Sequence, residues 1–116
     1  MIKTDILIIG SGAAGMTSAI ELSKEFEITL ISKNTLVDSS TWYAQGGIAA
    51  VIDEKDSTED HLRDTLIAGD GLCNVEAVRE CVSKGKEAID WLSDIGTCFT
   101  RDKSSNNYHL TQEGGH

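Results

Sequence analysis

The chain has 116 residues and a formal net charge of −9, with 10 Lys and Arg against 19 Asp and Glu. That balance speaks against a nucleic-acid surface or an anionic membrane surface, both of which need a basic patch, and no run nears the roughly 18 apolar residues of a membrane span. At 40% hydrophobic and 25% charged residues the composition is that of an ordinary globular chain, and the length fits one small domain. The N-terminus passes from a single lysine straight into an apolar run, which is not a secretory signal. No membrane, no nucleic acid and a cytoplasmic location are therefore the expectations.

The first element is the apolar run at residues 6–9, which leads directly into Gly10, Gly12 and Gly15. A helix is predicted over residues 13–24, with Ala14, Thr17, Ile20 and Leu22 on its buried side. A second apolar run at 28–32 closes the unit and reads as a strand covered on both faces. Strand, glycine turn, helix and strand within about 30 residues is the pattern of a dinucleotide-binding βαβ unit. Each glycine has a task in that pattern. Gly10 permits the sharp turn, Gly12 leaves room for a pyrophosphate against the backbone, and Gly15 lets the helix approach the sheet. The helix N-terminus then offers unsatisfied amides and a partial positive charge. A tight turn without a ligand accounts for Gly10 and Gly15 but gives no reason for Gly12.

The second strand of such a unit usually ends in an acid that binds ribose hydroxyls. Here Ser32 and Lys33 stand in that place. Ser32 offers a hydroxyl to a ribose and Lys33 a cation to a phosphate or adenosine; a solvated loop lysine is the plainer alternative. Residues 38–47 follow, rich in hydroxyls, with Trp42, Tyr43 and the pair Gly46 and Gly47. Such a stretch presents amides and hydroxyls to phosphates and ring edges. Read plainly, it is a surface turn into a short strand at 48–52.

Ser57 is the predicted N-cap of a helix with acids in its first turn and a buried stripe of Leu62, Thr65, Leu66 and Ala68, ended by Gly69 and Gly71. Asn74 is the next predicted N-cap. Val75, Val78, Cys81 and Val82, then Ala88, Ile89, Leu92 and Ile95, recur at helical spacing, with Gly85 dividing or bending the segment and Gly96 ending it. Residues 101–107 read as a hairpin or exposed loop. Cys73, Cys81 and Cys98 match no metal or cluster spacing, nor do the three histidines. Cys81 and Cys98 are expected to be buried small hydrophobes. With few strands and a glycine-rich close at 113–116, the expected class is α/β: a Rossmann-like βαβ unit in an incomplete doubly wound domain, cut from a larger protein.

In this order, residues 10–15, Ser32 with Lys33, and residues 40–50, 64–71 and 108–116 resemble the N-terminal part of the L-aspartate oxidases. That family belongs to the succinate dehydrogenase/fumarate reductase group of flavoproteins, and the resemblance covers nearly the whole chain. It implies that residues 1–116 are the N-terminal part of an FAD-binding domain, with capping and C-terminal domains outside the chain. It further implies oxidation of L-aspartate to iminoaspartate in de novo NAD synthesis. Oxygen or fumarate would reoxidise the flavin, and quinolinate synthase would take the product.

By matching motif, Ser11, Gly12, Ala13 and Ala14, between Gly10 and Gly15, would hold the pyrophosphate. Lys33, beside Ser32, would contact the adenosine side. Ser40, Thr41, Trp42, Tyr43, Ala44, Gln45, Gly46 and Gly47 would run along the flavin and its linker. Glu113 matches a substrate-site glutamate suited to an ammonium group, although Gln112 stands where the family has arginine. Ser40 stands where covalent members of the group carry histidine, which implies non-covalent FAD. The acid/base arginine would lie past His116, so no catalytic residue is assigned and the segment alone is expected to be inactive. The alternatives are the flavoprotein subunit of a succinate dehydrogenase or fumarate reductase, a different nucleotide-binding module, and a non-enzymatic remnant.

Overall fold

The computed structural model describes residues 1, 3–44 and 46–111. In chain order the elements are β1 (Ile6–Ile9), α1 (Ala13–Leu22), β2 (Ile28–Ile31), α2 (Ser40–Tyr43), α3 (Thr58–Ala68), α4 (Val75–Ser83) and α5 (Gly85–Asp94). The chain divides into two compact units, Met1–Gly47 and Ile48–His116. None of the helices is long and apolar enough to cross a membrane among the described residues.

In the first unit β1 and β2 pair in parallel, from Ile6 opposite Ile28 to Ile9 opposite Ile31. Parallel neighbours need a crossover, and α1 supplies it by packing on both strands. Below the ladder, Glu27 donates its amide to an Asp5 carboxylate oxygen at 2.9 Å, and Thr4 Oγ1 donates to the Glu27 carbonyl at 2.7 Å. At the upper end Gly10 N donates to the Ile31 carbonyl at 2.8 Å. The glycine turn therefore leaves β1 from a fixed point.

Strand burial alternates: Ile6 and Ile8 are half-buried, whereas Leu7 and Ile9 are exposed. Ile31 is exposed too, so among the described residues β2 lacks the expected cover at its C-terminal end. The stripe of α1 also differs from the predicted one. Ala14, Thr17 and Ile20 are exposed, and Gly15, Ala19 and Leu22 turn inward. The reason is the contact at Gly15: once that residue sets the face of closest approach, positions four and seven further on follow it. The helix stops at Leu22 rather than Lys24 because the chain tightens there. Lys24 N bonds the Glu21 carbonyl at 3.4 Å and Glu25 N the Leu22 carbonyl at 3.1 Å, both i→i−3.

In the second unit α3 packs on α4 and α4 on α5. Leu62 and Ile89 are the buried apolar side chains among the described residues, each contributing about 1.5–3 kcal/mol by burial. The caps match expectation: Asp60 N donates to Ser57 Oγ and Ala77 N to Asn74 Oδ1, each at 3.0 Å. Gly85 stands between α4 and α5, and a Cβ there would lie 3.3 Å from Ala50 Cβ. Gly96 has φ +102°, with Gly96 N bonding the Ser93 carbonyl and Thr97 N the Leu92 carbonyl. That pair of bonds is a Schellman close, which only a residue at ease in the left-handed region allows.

Three details depart from the expectations. Residues 48–52 form no strand. Cys81 and Cys98 are exposed. On α4 the inward positions are Val78 and Val82, and Cys81 falls off that line; Cys98 comes after the Gly96 turn. Within the predicted stripes, Ala68, Val75, Ala88 and Ile95 are exposed as well. The 101–107 segment is a turn closed by an antiparallel bridge between Arg101 and Tyr108, with the Arg101 guanidinium 4.6 Å above the Tyr108 ring.

Candidate functional site

The site is built where β1 runs out. Gly10 takes φ +111°, a left-handed conformation that side chains rarely adopt. Ser11 is buried in the turn, 8% exposed. Gly12 is the N-cap of α1, extended at φ −72°, and its carbonyl accepts the first helical bond from Met16 N at 3.0 Å. The amides of Ala14 and Gly15 precede that bond, so the helix itself cannot satisfy them. No acid sits in the first turn of α1, which leaves the positive end of the helix dipole uncompensated.

The three glycines can now be told apart. A Cβ on Gly15 would collide with the Gly10 carbonyl oxygen at 2.1 Å, so Gly15 is required by packing. Gly10 is required by its backbone angle. Gly12 is required by neither: its φ is ordinary, and a Cβ there would meet Thr41 Oγ1 at 3.6 Å, a normal contact. What the missing side chain leaves is room for an outside group at the α1 N-terminus. The cradle fits a pyrophosphate.

The structure brings one more predicted residue to this turn. Thr41 Oγ1 accepts the amide of Ala13 at 3.0 Å across 28 residues, so α2 is tied to the start of α1. The stretch predicted as a hydroxyl-rich loop is partly helical because Ser39, its N-cap, accepts the amide of Trp42. Ser40, Trp42, Tyr43, Ala44, Gly46 and Gly47 are all exposed. Gln45 and Glu113 lie outside the described residues. At the end of β2 Ser32 is half-buried and Lys33 exposed. The Ser32 hydroxyl donates to the Asn34 carbonyl, so it holds the loop as it stands.

Sequence reasoning missed Asn34 and Asp38, whose side chains bond at 2.5 Å and brace the connection from β2 to α2. Their spacing of four across a Ser-, Asn- and Thr-rich turn was the available signal. Ser39 was missed as a cap because Ser40 and Thr41, its neighbours, offer the same hydroxyl.

Comparison with known proteins identifies the family and its cofactor. The family described as FAD binding domain matches residues 5–116. The chain belongs to that family. Its cofactor is FAD, and the βαβ unit is part of an α/β FAD-binding fold. The L-aspartate oxidase of Pseudomonas aeruginosa is 50% identical to the chain, covering 97% of it and 22% of that protein. The L-aspartate oxidase of Yersinia pestis is 51% identical over the same shares. Among solved structures, a mutant form of E. coli quinol fumarate reductase FrdA superposes with a TM-score of 0.87 at 32% identity, covering 95% of this chain and 19% of that one. The chain thus spans about a fifth of the length of the curated relatives it matches. Within the FAD-binding domain, the α1 N-terminus and Thr41 are the parts of the expected site that the fold brings together.

Proposed function

We propose that the chain is the N-terminal, FAD-binding segment of an L-aspartate oxidase. FAD, when bound, supplies the redox chemistry by accepting a hydride from the substrate. The residues of this chain bind and orient it. Ser11, Gly12, Ala13 and Ala14 face the pyrophosphate, with Gly10 and Gly15 shaping the turn. Ser32 and Lys33 lie toward the adenosine, and Ser40 through Gly47 lie along the linker and flavin. FAD is held without a covalent bond. Glu113 receives the substrate ammonium group.

The whole enzyme would oxidise L-aspartate to iminoaspartate with oxygen or fumarate as acceptor, in the cytoplasm, and hand the product to quinolinate synthase for NAD synthesis. The observation that carries the FAD reading is Gly12, a glycine that neither packing nor its backbone angle requires. Support for the substrate comes from relatives of that name at 50% and 51% identity across the chain, against 32% for the quinol fumarate reductase. The alternative is the flavoprotein subunit of a fumarate reductase or succinate dehydrogenase.

The test has two parts. The purified chain is examined for flavin absorbance and for FAD binding by fluorescence; NAD binding without FAD would overturn the reading. The protein carrying this segment together with the rest of the enzyme is then mixed anaerobically with L-aspartate or succinate. Bleaching of the flavin by L-aspartate is expected, and bleaching by succinate alone would favour the alternative.

A further inference from the structure

Past α5, residues 96–111 are exposed except Phe99 and Tyr108, which are half-buried. The two arms of the turn in this stretch are tied at 2.8 Å by Asp102 N to the Asn107 carbonyl and by His109 N to the Thr100 carbonyl. A two-stranded hairpin on its own is marginal in water. Side chains add what the backbone bonds lack. The Tyr108 ring carries the Arg101 guanidinium over its face at 4.6 Å, and the Phe99 ring stands nearly perpendicular to it, with centroids 5.6 Å apart. Arg101 also donates to the Asn106 carbonyl at 3.0 Å, so one arginine holds both the ring and the tip of the turn. This stack is not part of the buried core at Leu62 and Ile89.

We propose that Tyr108, clamped between Arg101 and Phe99, is a positioning residue for Glu113, the acid read as the seat of the substrate ammonium group. Glu113 follows Tyr108 by five residues, at most about 18 Å of extended chain. The bond from His109 is the last of the hairpin among the described residues, so the segment that carries the acid starts from this stack. A carboxylate on a loop grips an ammonium group well only when its distance and direction are held by supporting contacts. The clamp supplies that support at the root of the loop.

The inference rests on the substrate reading of Glu113, and the experiment tells the two apart. It uses the holoenzyme that carries this segment, with circular dichroism and bound flavin to verify that each variant folds. KM and kcat for L-aspartate are measured for Glu113→Gln, Tyr108→Leu, Tyr108→Phe and Arg101→Gln. An acid that binds the ammonium group equally in the ground and transition states shows itself in KM. Glu113→Gln and Tyr108→Leu should each raise KM roughly tenfold, with kcat within about twofold of the parent. Arg101→Gln should raise KM in the same direction, and Tyr108→Phe, which keeps the ring, should stay near the parent. Tyr108→Leu added to Glu113→Gln should raise KM no further, because the tyrosine acts through the acid; an additive effect overturns the proposal. If Tyr108→Leu does not fold, Arg101→Gln with and without Glu113→Gln makes the same comparison. If Glu113→Gln raises KM while Tyr108→Leu and Arg101→Gln do not, the positioning role is wrong and the substrate acid stands. If Glu113→Gln leaves KM unchanged, both readings fall.

Discussion

A Cβ placed on Gly15 would sit 2.1 Å from the carbonyl oxygen of Gly10. Backbone, not a movable side chain, is in the way, so the turn off β1 and the docking of α1 are one constraint. Gly12 lies between the two and is free of it, with 3.6 Å to its nearest neighbour. The glycines thus separate folding from ligand approach, and substitution should separate them in measurement. Gly15→Ala should destabilise the chain by about 1–3 kcal/mol, as overpacking does. Gly12→Ala should leave stability within about 1 kcal/mol, or raise it slightly through the unfolded state, while FAD affinity falls by roughly tenfold or more. Denaturant unfolding and FAD titration of the two variants decide the matter; a Gly12→Ala chain that binds FAD normally would remove the ligand-approach argument.

The same turn shows how far the sequence could be read. Spacing alone located β1, α1 and β2, because a glycine turn between two apolar runs has few other solutions. It also located the caps at Ser57 and Asn74 and the close at Gly96, whose signals are local. It misjudged which face of α1 is covered, since periodicity finds a stripe but the Gly15 contact sets its phase. It placed Cys81 and Cys98 inside because a small apolar residue at helical spacing looks the same at the edge of a stripe as at its centre. The bond between Ala13 and Thr41 was out of reach, because nothing in a hydroxyl-rich stretch says which hydroxyl will meet an amide 28 residues away. The pairing of Asn34 with Asp38 was hidden similarly: either residue alone reads as an ordinary turn former.

The cap at Asn74 offers a test of the second unit. Its Oδ1 accepts the Ala77 amide at 3.0 Å, and no neighbouring hydroxyl is placed to replace it among the bonds of that helix end. Asn74→Ala should cost about 0.5–2 kcal/mol, and Asn74→Ser should recover most of it. Urea midpoints of the three chains measure this; equal stability of Asn74→Ala and the parent would mean that solvent caps α4 equally well.

Asp102 organises the 101–108 turn. Its carboxylate accepts the Ser104 hydroxyl, the Ser104 amide at 2.7 Å and the Ser105 amide at 3.1 Å. The Ser104 hydroxyl is the largest influence, followed by those two amides, and together they hold the Asp102 pKa down at about 2, from 3.8. A depressed acid stabilises the turn fully above its unfolded value and loses that contribution as pH falls from 3.8 through about 2. The turn should therefore persist at pH 5 and above and open only in strong acid. An NMR titration of the Asp102 carboxyl carbon checks the midpoint. Ser104→Ala should move it upward, and an unchanged midpoint would show that the amides alone set it.

The last prediction concerns the link between chain and flavin. From residue 34 to residue 47 there is no histidine and no cysteine, and α2 opens with Ser40 and Thr41, whose hydroxyls are weak nucleophiles without an adjacent base. Thr41 moreover already accepts the Ala13 amide, which fixes its oxygen at the start of α1. The segment therefore offers no imidazole and no thiol to bond a flavin ring carbon. The holoprotein precipitated with acid and spun down should therefore leave its yellow colour in the supernatant, as intact FAD. Flavin that stays in the pellet through repeated washing, and that maps by mass to a peptide of residues 34–47, would show a covalent attachment and return the chain to the covalent branch of its group.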